Sequence, residues 1–150
     1  MTPSEQSLKT LFDNVLGLTP NAVTWLLDLW AVIQVFDDVA DGDNVARKDL
    51  HDAVWRSLVN MPSNPFFIAN SGNLLPVLAN AFLKGVASDD AERAGQADEK
   101  SFIWRASYYD VVLMAVLLDQ GKDAAVAKAS TVMALYGENF SAYKKEFSHA

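Results

Sequence analysis

The chain has 150 residues, of which 51% are hydrophobic and 21% charged, with a formal net charge of −7 and no cysteine. This composition excludes an intrinsically disordered chain, and the lack of cysteine excludes disulfides and thiolate metal sites. The 12 basic residues are scattered and form no stripe, so we predict no nucleic-acid binding.

The length suits one domain, which we expect to span residues 1–150. The N-terminal MTPSEQSLK lacks the basic and apolar regions of a signal peptide, and the longest apolar stretch, residues 22–36, is interrupted by Asp28. We therefore expect no signal peptide and no membrane span, and we place the protein in the cytoplasm.

Helix signals dominate the sequence in chain order, beginning with Thr2, Pro3 and Glu5, which match a capping box. A second helix begins at Pro20 and runs to about residue 38 through WLLDLWAVIQVF, which is apolar on nearly all sides. Such a helix belongs in the centre of a bundle. We expect Asp43 or Asn44 to cap a third helix.

Further helices follow the break at residues 62–65. Asn64 is predicted to cap a short segment, FFIA, that Gly72 ends, and LLPVLANAFLKG forms the next helix. Residues 86–100 are predicted to be an exposed connection, followed by helices over 99–119 and 122–147. We predict an all-α fold, a single compact bundle of six or seven helices around the central helix at about 20–38.

An aspartate cluster, FDDVADGDN, ends the central helix. On a helical wheel one arc combines carboxylates with an amide and an apolar floor, formed by Asp37, Asp38, Asp41, Gln34, Leu27 and Trp30. Acids in the last turn of a helix are unfavourable by about 0.3–1 kcal/mol each, and a cation relieves that conflict. We predict Asp37, Asp38 and Asp41 as Mg²⁺ ligands above a pocket lined by the other three. The open alternative is a turn without metal.

The string DDVAD at residues 37–41 resembles the first aspartate-rich motif of the all-helical isoprenoid synthases, specifically the squalene/phytoene synthase-like enzymes. The resemblance covers about 25 residues. It implies that these aspartates hold Mg²⁺, which binds a prenyl diphosphate. The second metal-binding motif of that family is not found, and GENFSAYKKE is the nearest candidate.

Two aspartates on apolar helix faces, Asp28 and Asp110, are predicted to be buried acids. Each is expected to bind a Tyr, Trp or Arg side chain of another helix, because a buried carboxylate needs a partner. For Asp28, Thr24 or an indole N–H nearby is a further candidate. His51 and His149, the two histidines, are predicted to lie on the surface.

Two functional hypotheses remain. In the first, the chain is a small non-catalytic helical protein that acts through protein–protein contacts or self-association. The alternative is a Mg²⁺-dependent protein or enzyme that binds a diphosphate through the DDVAD cluster. The length and apolar helical character also resemble uncharacterised small proteins of bacteria and phages.

Overall fold

The computed structural model describes residues 1–148, which form eight helices and contain no strand. The prediction of an all-α fold is confirmed. Contacts divide the chain into two units, Met1–Ser71 and the residues from Gly72 onward. The units are described separately below, and the single domain over residues 1–150 stays a prediction.

The first unit contains three helices and the start of a fourth. They are α1, Pro3–Thr10, continued by a π-helical turn Leu11–Val15; α2, Pro20–Ala40; α3, Arg47–Trp55, continued by a π-helical turn Arg56–Asn60 and a last turn Met61–Ser63; and α4, Pro65–Arg93.

Helix α2 forms the core of this unit and contacts both α1 and α3. Its N-terminal half is buried through Leu29, whereas the residues from Phe36 to Ala40 are exposed. Trp25 is fully buried and stacks on Phe67 at a centroid distance of 5.7 Å. The C-terminal end of α2 is therefore exposed to solvent.

The predicted cap of the third helix is wrong. The helix begins at Arg47. The residue before it, Ala46, has an extended backbone conformation and makes no side-chain hydrogen bond to the helix start. Asp43 instead belongs to the end of α2, because its backbone N–H donates to the carbonyl of Asp38 at 2.9 Å. Together with the positive φ of Gly42, that bond makes a Schellman motif.

Helix α4 replaces two elements that the sequence predicted as separate. It runs unbroken through Gly72 and Pro76 and through much of the predicted connection at 86–100. A proline ring collides with the carbonyl four residues earlier, and here that residue is Gly72, whose backbone adapts most readily. The glycine thus accommodates the proline instead of ending the helix.

Asn64 begins α4 and also ties it to α2. Its Oδ1 accepts hydrogen bonds from the backbone N–H groups of Phe66 and Phe67, at 2.8 and 3.3 Å, and its Nδ2 donates to the carbonyl of Asn21 at 3.0 Å. The predicted cap is confirmed. The bond to Asn21 adds a tertiary contact, which explains why Asn64 is buried.

Within residues 1–148, α4 is the one helix long and apolar enough to cross a membrane, with a mean hydropathy of 1.4 in its most apolar window. Only 17% of that window is buried. Length and composition alone are weak grounds for a membrane span, and the predicted absence of a span stays a prediction.

The second unit contains the rest of α4 and four further helices: α5, Glu99–Trp104; α6, Tyr108–Gln120; α7, Lys122–Met133; and α8, Phe140–Phe147. Helices α6 and α7 pack on each other and are joined by Gly121 alone, whose φ of +92° is unfavourable for other residues. The predicted helix over 99–119 is thus two helices, α5 and α6.

Candidate functional site

Asp28 is a buried acid in the middle of an apolar helix. Its neighbours Leu27 and Leu29 are also buried, and only 6% of the aspartate is exposed. Its Oδ1 accepts a hydrogen bond from Nη1 of Arg56 on α3 at 3.3 Å. The expectation that Asp28 pairs with a side chain of another helix is confirmed. That partner is needed, because an unpaired carboxylate is unstable when buried.

Arg56 lies among three carboxylates. Its Nε is 2.8 Å from Oδ2 of Asp52, its Nη1 is 3.3 Å from Oδ1 of Asp28, and its Nη2 is 3.6 Å from Oε2 of Glu5. Asp52 is exposed, whereas the other two carboxylates are almost fully enclosed. The five N–H donors of a guanidinium can serve several acceptors, but one positive charge does not neutralise three negative charges.

Glu5 comes to this cluster from the first turn of α1. Thr2 Oγ1 accepts from the backbone N–H of Glu5 at 3.1 Å, which confirms half of the predicted capping box. The carboxylate of Glu5 is 5% exposed and faces Arg56. A residue that the sequence identified as a helix cap is therefore an acid of the cluster.

Burial and charge act against each other at these groups. Burial raises the pKa of Asp28 above its ordinary value, and the positive charge of Arg56 offsets only part of that rise. At Arg56, burial lowers the pKa. The hydrogen bond to Asp52 and the neighbouring carboxylates raise it by a larger amount, so the pKa lies above its ordinary value. Arg56 is therefore a permanent cation, and Asp28 is the group that can take up a proton.

A groove of about 620 Å³ runs over this cluster. It is lined by acidic, basic and apolar side chains: Glu5, Lys9, Asp13, Val23, Leu27, Asp28, Asp52, Arg56 and others. The Oδ2 atom of Asp28 is fully enclosed and accepts no hydrogen bond. Because buried polar atoms are nearly always satisfied, this enclosed acceptor is an anomaly in the packing beneath the groove.

Both π-helical turns of the unit border the groove. The turn in α1 contributes Asp13, and the turn in α3 contributes Arg56 and Asn60. The α3 turn is closed by a bond from the N–H of Met61 to the carbonyl of Arg56, five residues back. Single π-helical turns within helices are rare and are frequent at functional sites. Their placement supports the groove as the candidate site.

The predicted metal ligands lie elsewhere, at the exposed end of α2. Asp37, Asp38 and Asp41 are all exposed. Within residues 1–148, no three His, Asp or Glu side chains are placed to hold a metal ion together. The Schellman motif explains the Gly42 turn by backbone bonds alone. The metal role of the aspartates stays a prediction.

The predicted pocket residues separate. Leu27 lines the groove, but Trp30 and Gln34 are not among its lining residues. Trp30 is half-buried and Gln34 is exposed, further along α2. The groove lies beside the N-terminal half of α2, because its lining residues on that helix fall between Pro20 and Asp28.

Asp110 is not the buried acid that the sequence predicted. Its side chain is 34% exposed, and it binds Nζ of Lys84 at 2.7 Å, so its partner is a lysine of α4. The apolar residues around it on α6 misled the prediction, since a helix face that is half-covered can hold an ion pair. His51 is exposed, as expected, and His149 lies outside the described residues.

The enclosed acid of the second unit is Glu92. Its Oε2 accepts a hydrogen bond from the hydroxyl of Tyr143 at 2.9 Å and lies 3.6 Å from Nη1 of Arg105. The guanidinium of Arg105 lies over the rings of Tyr143 and Phe147. The same hydroxyl is 2.6 Å from Oγ of Ser101. These contacts hold α8 in place, which is a structural role.

Sequence reasoning missed Glu5 and Arg56. The signal for Arg56 was present, because it is a lone arginine in the apolar run AVWRSLV. Glu5 was interpreted only as part of a capping box, so its role as a buried acid was missed.

Comparison of the chain with protein-family models, curated proteins and solved structures finds no match.

Proposed function

We propose that the protein is a non-catalytic helical protein that acts by self-association through the apolar surface of its second unit. One observation carries this proposal, an apolar groove of about 370 Å³ between α4, α6 and α7. Its lining contains a single charged residue, Asp110, and the rest are apolar: Val77, Leu113, Met114, Leu117, Ala125, Val126 and Ala129.

The one charge in this groove is already neutralised. Asp110 is ion-paired with Lys84, so an apolar partner covers a neutral pair and not a lone carboxylate. Burying a paired charge is less costly than burying an unpaired one. The groove is therefore suited to an apolar side chain.

The same unit also presents exposed apolar side chains. Phe82 is 60% exposed and Leu83 is 62% exposed, and Val86 follows one turn later on α4. Large exposed apolar patches mark interaction sites. A unit that carries both an apolar groove and protruding apolar side chains can pair with a copy of itself, since a two-fold interface needs self-complementary surfaces.

The polar residues of α4 favour a protein partner over lipid. Asn73 and Asn80 are exposed on the helix. Exposed amides are tolerated in a protein interface bordered by water but are unfavourable in hydrocarbon. The association is proposed for the cytoplasm. The alternative function, Mg²⁺-dependent diphosphate binding, rests on the DDVAD string and on the helical-wheel arc that contains it.

Sedimentation velocity of the full chain over a range of concentrations tests the proposal. We expect a dimer that Phe82→Glu and Val126→Glu each shift to monomer, because each places a charge on the apolar surface. Leu58→Glu is the matched control, since Leu58 is 71% exposed and lies on α3 in the first unit.

A monomeric wild type at high concentration contradicts the proposal, and so does a Leu58→Glu variant that dissociates as readily as the other two. Flotation with phosphatidylcholine vesicles is the second measurement. Recovery of the wild type with the vesicles would show that α4 contacts lipid, which overturns the assignment of its apolar face to a second copy.

A further inference from the structure

One face of α4 within the second unit carries exposed apolar residues at heptad spacing. They follow one another at alternating steps of four and three positions: Gly72, Pro76, Ala79, Leu83 and Val86. All five are exposed, and Leu83 is 62% exposed. Such spacing keeps residues on one side of a helix and forms the contact line of paired helices in coiled coils. We call these five residues the α4 seam.

The α4 seam is low at its N-terminal end and raised towards its C-terminal end. A Cβ atom added at Gly72 would meet no atom of the described residues within 4 Å, so a second helix can approach closely there. Leu83 protrudes near the other end. The single charged residue in the stretch 72–86 is Lys84, which is bound to Asp110. The seam itself is therefore apolar and uncharged.

We propose that α4 pairs antiparallel with α4 of a second copy, with the two-fold axis passing between positions 77 and 78. The pairing rests on the proposed self-association and specifies its orientation. In this register Gly72 faces Leu83 of the second copy and Pro76 faces Ala79, so the largest of these side chains meets the smallest residue. In a parallel pair each residue faces its own copy, which leaves a gap at Gly72 and crowds two leucines at Leu83.

The residues beside the seam match in the same register. On one side Asn73 faces Asn80 of the second copy, and on the other side Leu75 faces Phe82. Both asparagines are exposed, and two amides can bond to each other because each carries donors and an acceptor. This match of polar with polar and apolar with apolar is independent of the side-chain sizes along the seam. It favours a second copy of this chain over an unrelated protein or lipid.

The area of this face is sufficient for a reversible dimer. Leu75, Phe82 and Leu83 are each more than half exposed. With the smaller residues of the seam they offer on the order of 500 Å² on each copy, or about 1,000 Å² in total, which is the lower limit of specific interfaces. We therefore expect a dimer that dissociates on dilution.

Oxidative cross-linking of the full chain tests the orientation, because the chain has no cysteine of its own. An equimolar mixture of Pro76→Cys and Ala79→Cys should form a mixed disulfide, since these positions face each other. Val86→Cys alone should form none, because antiparallel pairing separates the two copies of this residue by about 26 Å along the helix axis. Ile103→Cys, at a 62% exposed position on α5, measures disulfides from random collision.

Substitutions at the two asparagines test the register without changing the seam. Asn73→Asp combined with Asn80→Asp should weaken the dimer by about ten-fold in sedimentation velocity, because like charges then face each other. Asn73→Lys combined with Asn80→Asp should keep at least the wild-type affinity, because it places opposite charges across the pair.

The α4 pairing is overturned if Val86→Cys cross-links as fast as the mixture, if the mixture does not exceed Ile103→Cys, or if both asparagine double variants dissociate alike. With a dimeric wild type, each of these results leaves the proposed self-association standing, so the two failures are distinguishable. A monomeric wild type contradicts both proposals. Flotation of the wild type with phosphatidylcholine vesicles would assign this face to lipid and also overturns the pairing.

Discussion

Replacing Arg56 by methionine should strongly destabilise the first unit in a pH-dependent way. Methionine keeps the length and much of the packing of the side chain but removes its charge. The carboxylates of Glu5 and Asp28 then lose the cation with which each is paired, although both stay enclosed. Breaking a buried ion pair by removing one partner costs about 3–5 kcal/mol.

The free energy of protonating Asp28 sets an upper limit on how much this carboxyl can contribute to the destabilisation by Arg56→Met. A carboxyl without a partner can take up a proton, at about 1.36 kcal/mol for each pH unit above its unfolded pKa. For Asp28 the unfolded pKa is 3.8, so at pH 7 this limit is about 4.4 kcal/mol. At pH 5 it falls to about 1.6 kcal/mol. The exposed bond to Asp52 adds only about 0.3–0.5 kcal/mol.

Urea unfolding followed by tryptophan fluorescence measures this change in the first unit, which contains three of the four tryptophans, Trp25, Trp30 and Trp55. We expect a loss of about 3–5 kcal/mol at pH 7 that shrinks by up to about 2.7 kcal/mol per carboxyl at pH 5. Arg56→Lys, which keeps the charge, should lose less. The double variant with Asp28→Asn should recover part of the loss.

A loss under about 1 kcal/mol at pH 7 would refute this reasoning, since that is the value of an exposed ion pair. A larger loss that stays constant between pH 5 and pH 7 would also refute it, because the cost would then come from packing and not from buried charge.

Three further predictions concern single side chains. Asn64→Ala should lower the free energy of unfolding by about 1–2 kcal/mol in urea titrations, through loss of the α4 cap and of the bond to Asn21. Burial raises the pKa of Asp28, so its contribution to stability is present below about pH 3.8 and is lost as pH rises through the folded pKa. Asp28→Asn should therefore reduce the loss of stability with rising pH, as measured by a pH series of unfolding midpoints. Tyr143→Phe should cost about 1–3 kcal/mol and speed amide exchange in α8, because the enclosed carboxylate of Glu92 loses its donor; unchanged exchange would contradict this role.

The secondary structure could largely be read from local patterns in the sequence. Thr2 with Pro3, Pro20 and Asn64 with Pro65 mark helix starts that the structure confirms, because a cap acts on backbone groups two or three residues away. Failures occur where one residue type can serve two local structures. Helix α4 continues past Gly72, although local rules ended a helix there.

The candidate site was also only partly predictable from the sequence. The position of Asp28 in an apolar helix predicted a buried, paired aspartate, because burying an unpaired charge is costly. Only the tertiary structure brings Glu5 and Arg56 to that aspartate, from positions 23 and 28 residues away in the chain. The four neighbouring aspartates at residues 37–43 drew attention to the end of α2 because charge is conspicuous in a sequence. The acceptor without a hydrogen-bond partner, Asp28 Oδ2, lies near the middle of α2. Its burial depends on the packing of three helices, which the sequence does not show.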